Sequence, residues 1–281
     1  MNDKLLTWEE AVQWLKSQPD WQELVKACYY DEHLIDAAKR FAASEEWQAV
    51  QDIVKHMLPC KILDLGAGNG ISSYAFASLG CEVTSVEPDP SNIVGAGAII
   101  KLAKEFNLNI EVVQNFGETL SFADSTFDIV YGRQVLHHAN NLGQLCQEAS
   151  RVLRAGGMLI ATREHVISRQ ADLDVFLRSH PLHDLYGGEN AFMLADYRRS
   201  ILNAGLIIKH IYRPLESVIN YAPLTSAQYK FKLSTRLSKF VGGSTAQWLV
   251  SQPFIISLWG RIHAWRDHTP GRLYSFIAIK S

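Results

Sequence analysis

Cysteine is scarce in this 281-residue chain: Cys28, Cys60, Cys81 and Cys146 are all there are, and no two form a CxxC pair. A disulfide framework is therefore not what organises it, and reduced thiols in a cytoplasmic protein are expected. Long apolar runs are missing too. No stretch approaches the roughly 20 residues of a membrane-spanning helix, and the opening MNDKLLTWEE has neither the basic start nor the apolar core of a secretion signal. Nor is there an excess of either charge. The formal net charge is −2, so a polyanion such as nucleic acid is not the default partner. What is present, 47% hydrophobic and 20% charged residues, suits one principal soluble domain with additions.

The near-neutral balance conceals an asymmetry. From Ser217 onward eight basic residues face a single acid, Asp267, so this part carries +7 and the remainder −9.

Apolar spacing and turn residues predict the order of elements. Residues 7–57 read as helices, opened by a Thr7/Glu10 capping box. Strands are expected at 61–65, 81–86, 110–114, 127–131 and 158–162, with helices at 71–79, 91–106 and 142–153 between them. Their near-continuous apolar runs imply a parallel sheet covered on both faces. A helix at 196–203, a strand at 206–212 and a last strand at 273–279 follow. The predicted fold is α/β, a Rossmann-like, doubly wound, mostly parallel sheet. An N-terminal helical cap (1–58) precedes the core (59–221 and 272–281), and a helical insertion or lid (222–271) interrupts it before the last strand.

The segment ILDLGAGNG, 62–70, puts glycines where a strand turns at once into a helix and backbone must approach a ligand. Alone this is a weak signal. Nicotinamide-dependent oxidoreductases carry GxGxxG, whereas here the spacing is GxGxG, with Asp64 two residues before Gly66. A carboxylate so placed repels a pyrophosphate but suits a ligand bearing an ammonium and a sulfonium. Glu87 ends the second strand 21 residues after Gly66, where it can accept from both hydroxyls of a ribose.

The carboxyl edge of the later strands supplies further candidates. Arg133 and Gln134 follow the fourth strand, His137 and His138 come next, and Arg163, Glu164 and His165 leave the fifth. His137 or His165 can serve as a base toward a hydroxyl or amine acceptor. The loop HPLHDLYGGENAF, 180–192, brings His180, His183 and Glu189, but an HxxH without a second carboxylate cluster predicts no metal. No [DN]PP[YF] element follows the fourth strand, where YGRQ stands instead, so nucleic-acid methylation is disfavoured.

ILDLGAGNG, VEPD (86–89), ETLSFADSTFDIVYGRQVLHH (118–138) and ASRVLRAGGMLIATREH (149–165) occur in one order. In that order, residues 60–165 resemble the class I, Rossmann-like S-adenosylmethionine-dependent methyltransferases of the small-molecule type. The resemblance implies that Gly66, Ala67 and Gly68 pass under the methionine moiety, that Glu87 holds the ribose and that Pro88 packs by the adenine. Where the family often has an aspartate for the adenine amino group, this chain has Asn115-Phe116-Gly117, so Asn115 or backbone amides would substitute. Tyr30 would belong to an N-terminal helix folded over the cofactor, with Arg133, Gln134 and His138 near its methionine end. YGGENAF and SVINYAP resemble stretches of methyltransferases from bacterial polysaccharide pathways, which points to a sugar acceptor.

The expected activity is thus O- or N-methylation of a small or carrier-linked metabolite. Its rivals are a non-catalytic adenosylmethionine-binding module and a nicotinamide oxidoreductase. In the insertion, Tyr229, Leu233, Leu237 and Phe240 share one face of a basic helix. It reads as a cap whose charge selects an anionic acceptor, or as a peripheral membrane contact through 225–265.

Overall fold

The strand-turn-helix alternation closes into one sheet in the computed structural model, which describes residues 5–31, 33–222 and 224–281. Four helices open the chain: α1 (Trp8–Ser17), α2 (Gln22–Ala27), α3 (Leu34–Ala42) and α4 (Glu45–Val54). The central run is β1 (Lys61–Leu65), α5 (Ile71–Ala77), β2 (Glu82–Val86), α6 (Ala96–Glu105), β3 (Ile110–Val113), β4 (Phe127–Arg133), α7 (Leu142–Val152) and β5 (Leu153–Ile167). After it come α8 (Leu173–Ser179), α9 (His183–Tyr186), β6 (Phe192–Met193), α10 (Leu194–Asn203) and β7 (Leu206–Tyr212). Three more helices, α11 (Ser226–Val241), α12 (Gly243–Ser251) and α13 (Pro253–Arg266), precede β8 (Arg272–Lys280).

The strand order is β3-β2-β1-β4-β5-β8-β7, with β6 pairing off the path onto β5. Strands β1 to β5 run parallel, and only β8 lies antiparallel to both its neighbours. Helices cover both faces, as continuous apolar strands require. One face packs on α7 and α10 through Leu145, Ala149, Tyr197 and Ile201. The other packs on α3 to α6 through Phe41, Trp47, Val50, Phe76 and Leu102.

Two elements depart most from their sequence reading. The helix read from residue 91 starts at Ala96, because Ser91 turns the chain first: its amide donates to Asp89 Oδ1 at 2.8 Å, and its hydroxyl accepts from the amides of Ile93 and Val94. Ser and Asp side chains compete in this way with helical backbone bonds. The fifth strand extends past Thr162, because a bulge between Ala161 and Glu164 lets it resume pairing with β8 as far as Val166.

Candidate active site

The crossover between β1 and β4 opens a crevice at the carboxyl ends of the strands, where open α/β sheets bind ligands. A cavity of about 800 Å³ lies there, walled by the glycine turn, the ends of β2, β4 and β5, α1 and the 180–189 segment.

Gly66 and Gly68 both adopt left-handed φ, +59° and +55°, for different reasons. A Cβ on Gly66 would meet Val135 Cγ2 at 2.8 Å, so its glycine serves packing; a Cβ on Gly68 would meet nothing within 4 Å and would stand in the cavity. The Gly68 amide donates to Glu87 Oε2 at 2.8 Å, and the Asp89 amide to Glu87 Oε1 at 2.9 Å. Glu87 thus stands fixed on the cavity wall beside Pro88, and burial lifts its carboxyl to about 7.

Asp64 does not reach the wall. Its Oδ2 accepts from the hydroxyls of Ser72, at 2.7 Å, and Ser73, while its buried Oδ1 has no partner; burial raises its carboxyl to about 6. Asp64 therefore acts on a bound group by charge from behind the turn, and Ser72 is the side chain that lines the cavity. At the other end of this compartment the Asn115 side chain is engaged by its own loop. Its Nδ2 donates to the Thr119 carbonyl and its Oδ1 accepts from the Phe116 amide. Phe116 stands exposed on the cavity rim.

The N-terminal helices bring the opposite wall. Asn69 Nδ2 donates to the Tyr29 carbonyl at 2.9 Å, which ties the segment to the glycine turn, and the Ser91 hydroxyl bonds the Glu9 carboxylate on α1. Trp8, Tyr30 and Tyr186 then form an aromatic cluster lining the cavity, with ring centroids of 6.1 Å (Trp8–Tyr30) and 4.6 Å (Trp8–Tyr186).

Behind the acceptor compartment one carboxylate serves two guanidiniums. Glu46 on α4 accepts from Arg133 Nε at 2.7 Å and Nη2 at 3.2 Å, and from Arg163 Nη1 at 3.0 Å. Burial works to raise the Glu46 carboxyl, but Arg133 and Arg163 outweigh it and hold the group below its ordinary value. Both arginines line the cavity, and the buried Arg163 Nε has no partner. One positive charge is left over.

Beside this network the histidines converge. Glu164 is fully buried: its Oε1 accepts from the Val135 amide, and its Oε2 from the His137 amide at 3.0 Å while lying 2.7 Å from His137 Nδ1. Burial lifts Glu164 to about 7 and depresses His137 well below its ordinary value. The ionised carboxylate takes Nδ1–H and leaves the lone pair on Nε2. His165 Nδ1 lies 2.7 Å from the Gly271 carbonyl and His138 Nδ1 2.9 Å from the Gly188 carbonyl; a carbonyl only accepts, so both rings also keep their lone pair on Nε2. Glu189 accepts from the Tyr186 hydroxyl at 2.6 Å and lies 3.6 Å from His180 Nδ1.

One ligating atom each of His137, His165 and Glu189 lies within 4.8 Å of the others.

The family described as "Methyltransferase domain" matches residues 63–161, which span the glycine turn, Glu87, Arg133 and the histidine pair. Residues 63–161 are a class I, S-adenosylmethionine-dependent methyltransferase domain. The chain is 30% identical over 102 residues to a ubiquinone biosynthesis O-methyltransferase of Azorhizobium caulinodans, covering 36% of this chain and 39% of that one. Over 177 residues it is 24% identical to the Agrobacterium fabrum protein of the same name, covering 60% and 70%. The chain therefore spans about two fifths of the first relative's length. Among solved structures, geranyl diphosphate C-methyltransferase from Streptomyces coelicolor A3(2) superposes with a TM-score of 0.57 at 16% identity, over 89% of this chain and 86% of that one, a likeness of fold.

The cavity brings together Tyr30, Gly66, Ala67, Gly68, Glu87, Pro88, Asn115, Phe116, Arg133, Gln134, His137, His138 and His165, and leaves Asp64 behind its wall. Two groups behind the wall gave no functional signal in the sequence. Glu46 has its partners 87 and 117 positions away. Glu164 was noted at the sheet edge, but its role as the group behind His137 shows only in the fold. Lys230, Lys232 and Arg236 of the insertion are exposed and do not line the cavity, whose cations are Arg133, Arg163 and Arg272.

Proposed function

We propose that this chain methylates a hydroxyl oxygen of a small or carrier-linked metabolite, with His137 as the base, in a cytoplasmic setting. The observation that carries it is the Glu164–His137 pair on the cavity wall: a buried carboxylate fixes the tautomer and steadies the imidazolium that forms on proton uptake. His165 is backed by a neutral carbonyl and lacks that support.

The cofactor fits the residues present. The space over Gly68 is open, Glu87 stands fixed beside it, and the unpaired Asp64 Oδ1 places negative charge under the turn. Glu87 would hold the ribose, the 66–68 backbone the methionine moiety, and Pro88 with Phe116 the adenine. When bound, adenosylmethionine supplies a methyl group on a sulfonium, already activated for displacement. The protein's own task is then alignment and exclusion of water. Trp8, Tyr30 and Tyr186 line the cavity and keep water from it, and His137 Nε2 would take the proton of the acceptor hydroxyl.

The spare positive charge at Arg133, Arg163 and Glu46 favours an acceptor with an anionic group, and a sugar phosphate combines that group with hydroxyls. The name O-methyltransferase carried by both relatives supports oxygen as the methylated atom. The test is adenosylhomocysteine release across a panel of sugars and sugar phosphates. His137→Gln should lower turnover by about 10²–10⁴ with adenosylmethionine affinity unchanged. Full turnover in that variant would remove His137 from the base role.

A further inference from the structure

Helix α13 carries apolar residues on two opposite sides, and only one of these sides is covered. Ile256, Gly260 and Ala264, at i, i+4 and i+8, form its buried face. Gly260 sits so close to the preceding loop that a Cβ there would meet the Leu215 carbonyl oxygen at 2.2 Å. On the opposite side Phe254, Leu258, Ile262 and Trp265, at i, i+4, i+8 and i+11, form a second continuous stripe, with exposures of 67%, 57%, 44% and 73%. Trp248 on α12 and Phe240 on α11 stand out at 61% and 86%. A helix with apolar stripes on opposite sides is ordinarily covered on both. This one leaves its second stripe in water.

The charge around the stripe selects what covers it. Residues 222–271 hold six exposed cations, Lys230, Lys232, Arg236, Lys239, Arg261 and Arg266, of which Arg261 pairs with Glu216 at 3.0 Å, against one acid of their own, Asp267. A second copy would meet this surface in an isologous contact that sets the same patch against itself, and so brings cations against cations. An anionic bilayer surface meets both demands at once. Its phosphates take the lysines and arginines, its acyl region takes Phe254, Leu258 and Ile262, and Trp248 and Trp265 suit the headgroup boundary. None of the described helices is long and apolar enough to cross a membrane, so the contact is one that lies on the surface.

We propose that the α11–α13 insertion docks the protein onto an anionic lipid surface. Its two ends also reach the cavity, with Ala222 on one side and Asp267, Thr269 and Pro270 on the other lining the wall. A docked insertion would thus place the acceptor compartment beside the membrane, within reach of a lipid-carried acceptor. That last step rests on the methyltransferase reading, whereas the docking itself does not.

The test is flotation of the full chain with vesicles of phosphatidylcholine alone and of phosphatidylcholine mixed with phosphatidylglycerol. The protein should float with the mixed vesicles, stay largely behind with the neutral ones, and be released by salt. The triple variant Leu258→Gln, Ile262→Gln, Trp265→Gln, all at exposed positions, should lose flotation. The variant Lys230→Glu, Lys232→Glu, Arg236→Glu should lower the partition coefficient by at least about a hundredfold, since each cation near an anionic surface is worth roughly a factor of five. Adenosylmethionine binding, measured on the same preparations, should be unchanged and shows that both variants are folded. If the wild-type chain does not float with mixed vesicles, the proposal fails. It fails equally if the chain is a dimer in solution that the glutamine variant splits, because the stripe then belongs to a second copy.

Discussion

Glu164 Oε2 and His137 Nδ1 lie 2.7 Å apart in a part of the protein closed to water, and the same oxygen also accepts the His137 backbone amide. One carboxylate thus fixes both the ring and the main chain of the residue it supports. Glu164→Gln keeps the shape but supplies no negative charge for a developing imidazolium. It should lower turnover by about 10²–10⁴ and leave adenosylmethionine affinity within twofold, as separate activity and calorimetric measurements would show.

The same pair sets the pH dependence. With Glu164 lifted to about 7 and His137 depressed, the competent state has Glu164 ionised and His137 neutral, and it is lost as the pH falls. The pair titrates as a unit. Turnover should fall on the acid side of about pH 7, and in Glu164→Gln this limb should move, because one of the two titrating groups is gone. A limb unchanged in that variant would belong to another group.

Glu87 is a carboxyl raised by burial, so its ionisation opposes folding of the ligand-free protein. Its folded value of about 7 lies above the ordinary 4.5, and between these values the folded state binds more protons than the unfolded one. Stability linked to this group is therefore fully present below about pH 4.5 and declines as the pH rises toward 7. Glu87→Gln removes that decline. Relative to wild type it should gain up to about 3 kcal/mol between pH 5 and pH 8 in denaturant titrations without cofactor, while binding adenosylmethionine more weakly. A stability difference that does not change with pH would contradict the assignment.

Glu46 is shared by Arg133 and Arg163, so its removal leaves two buried guanidiniums facing each other. Glu46→Ala should cost about 3–5 kcal/mol of folding stability. Glu46→Gln should cost less, since its amide oxygen still accepts from one of them. A glutamine variant as stable as wild type would mean that packing, not charge, is what Glu46 contributes.

The parts of the fold legible in the sequence are those set by local chemistry. Strands β1 and β7 begin and end at the residues that their apolar runs indicate, and the glycine turn with Glu87 beyond it is plain from spacing alone. What could not be read depends on long-range partners or on broken periodicity. Thr162, Arg163 and Glu164 are all buried in succession, although two of the three are charged and stand where the apolar run has ended. The bulge after Ala161 and the left-handed φ of +61° at Arg163 turn both charged side chains inward, one toward Glu46 and the other toward His137. The two-residue strand β6 is too short to show a period, and its pairing with β5 comes only from the fold. The sequence reads Asp64 as a carboxylate that meets the cofactor's ammonium and sulfonium, and nothing local shows that Ser72 and Ser73 hold it behind the wall.

The central claim, that the glycine turn is open to hold adenosylmethionine, is tested most directly by calorimetric titration of wild type and Gly68→Val with adenosylmethionine and with NAD. Gly68 faces open cavity, so valine leaves the core packing intact at the cost of backbone strain of about 1–2 kcal/mol, and it fills the space that the cofactor requires. Wild type should bind one adenosylmethionine and no NAD, and the folded variant should bind neither. NAD binding by wild type, or adenosylmethionine binding of undiminished affinity in the variant, would contradict the account.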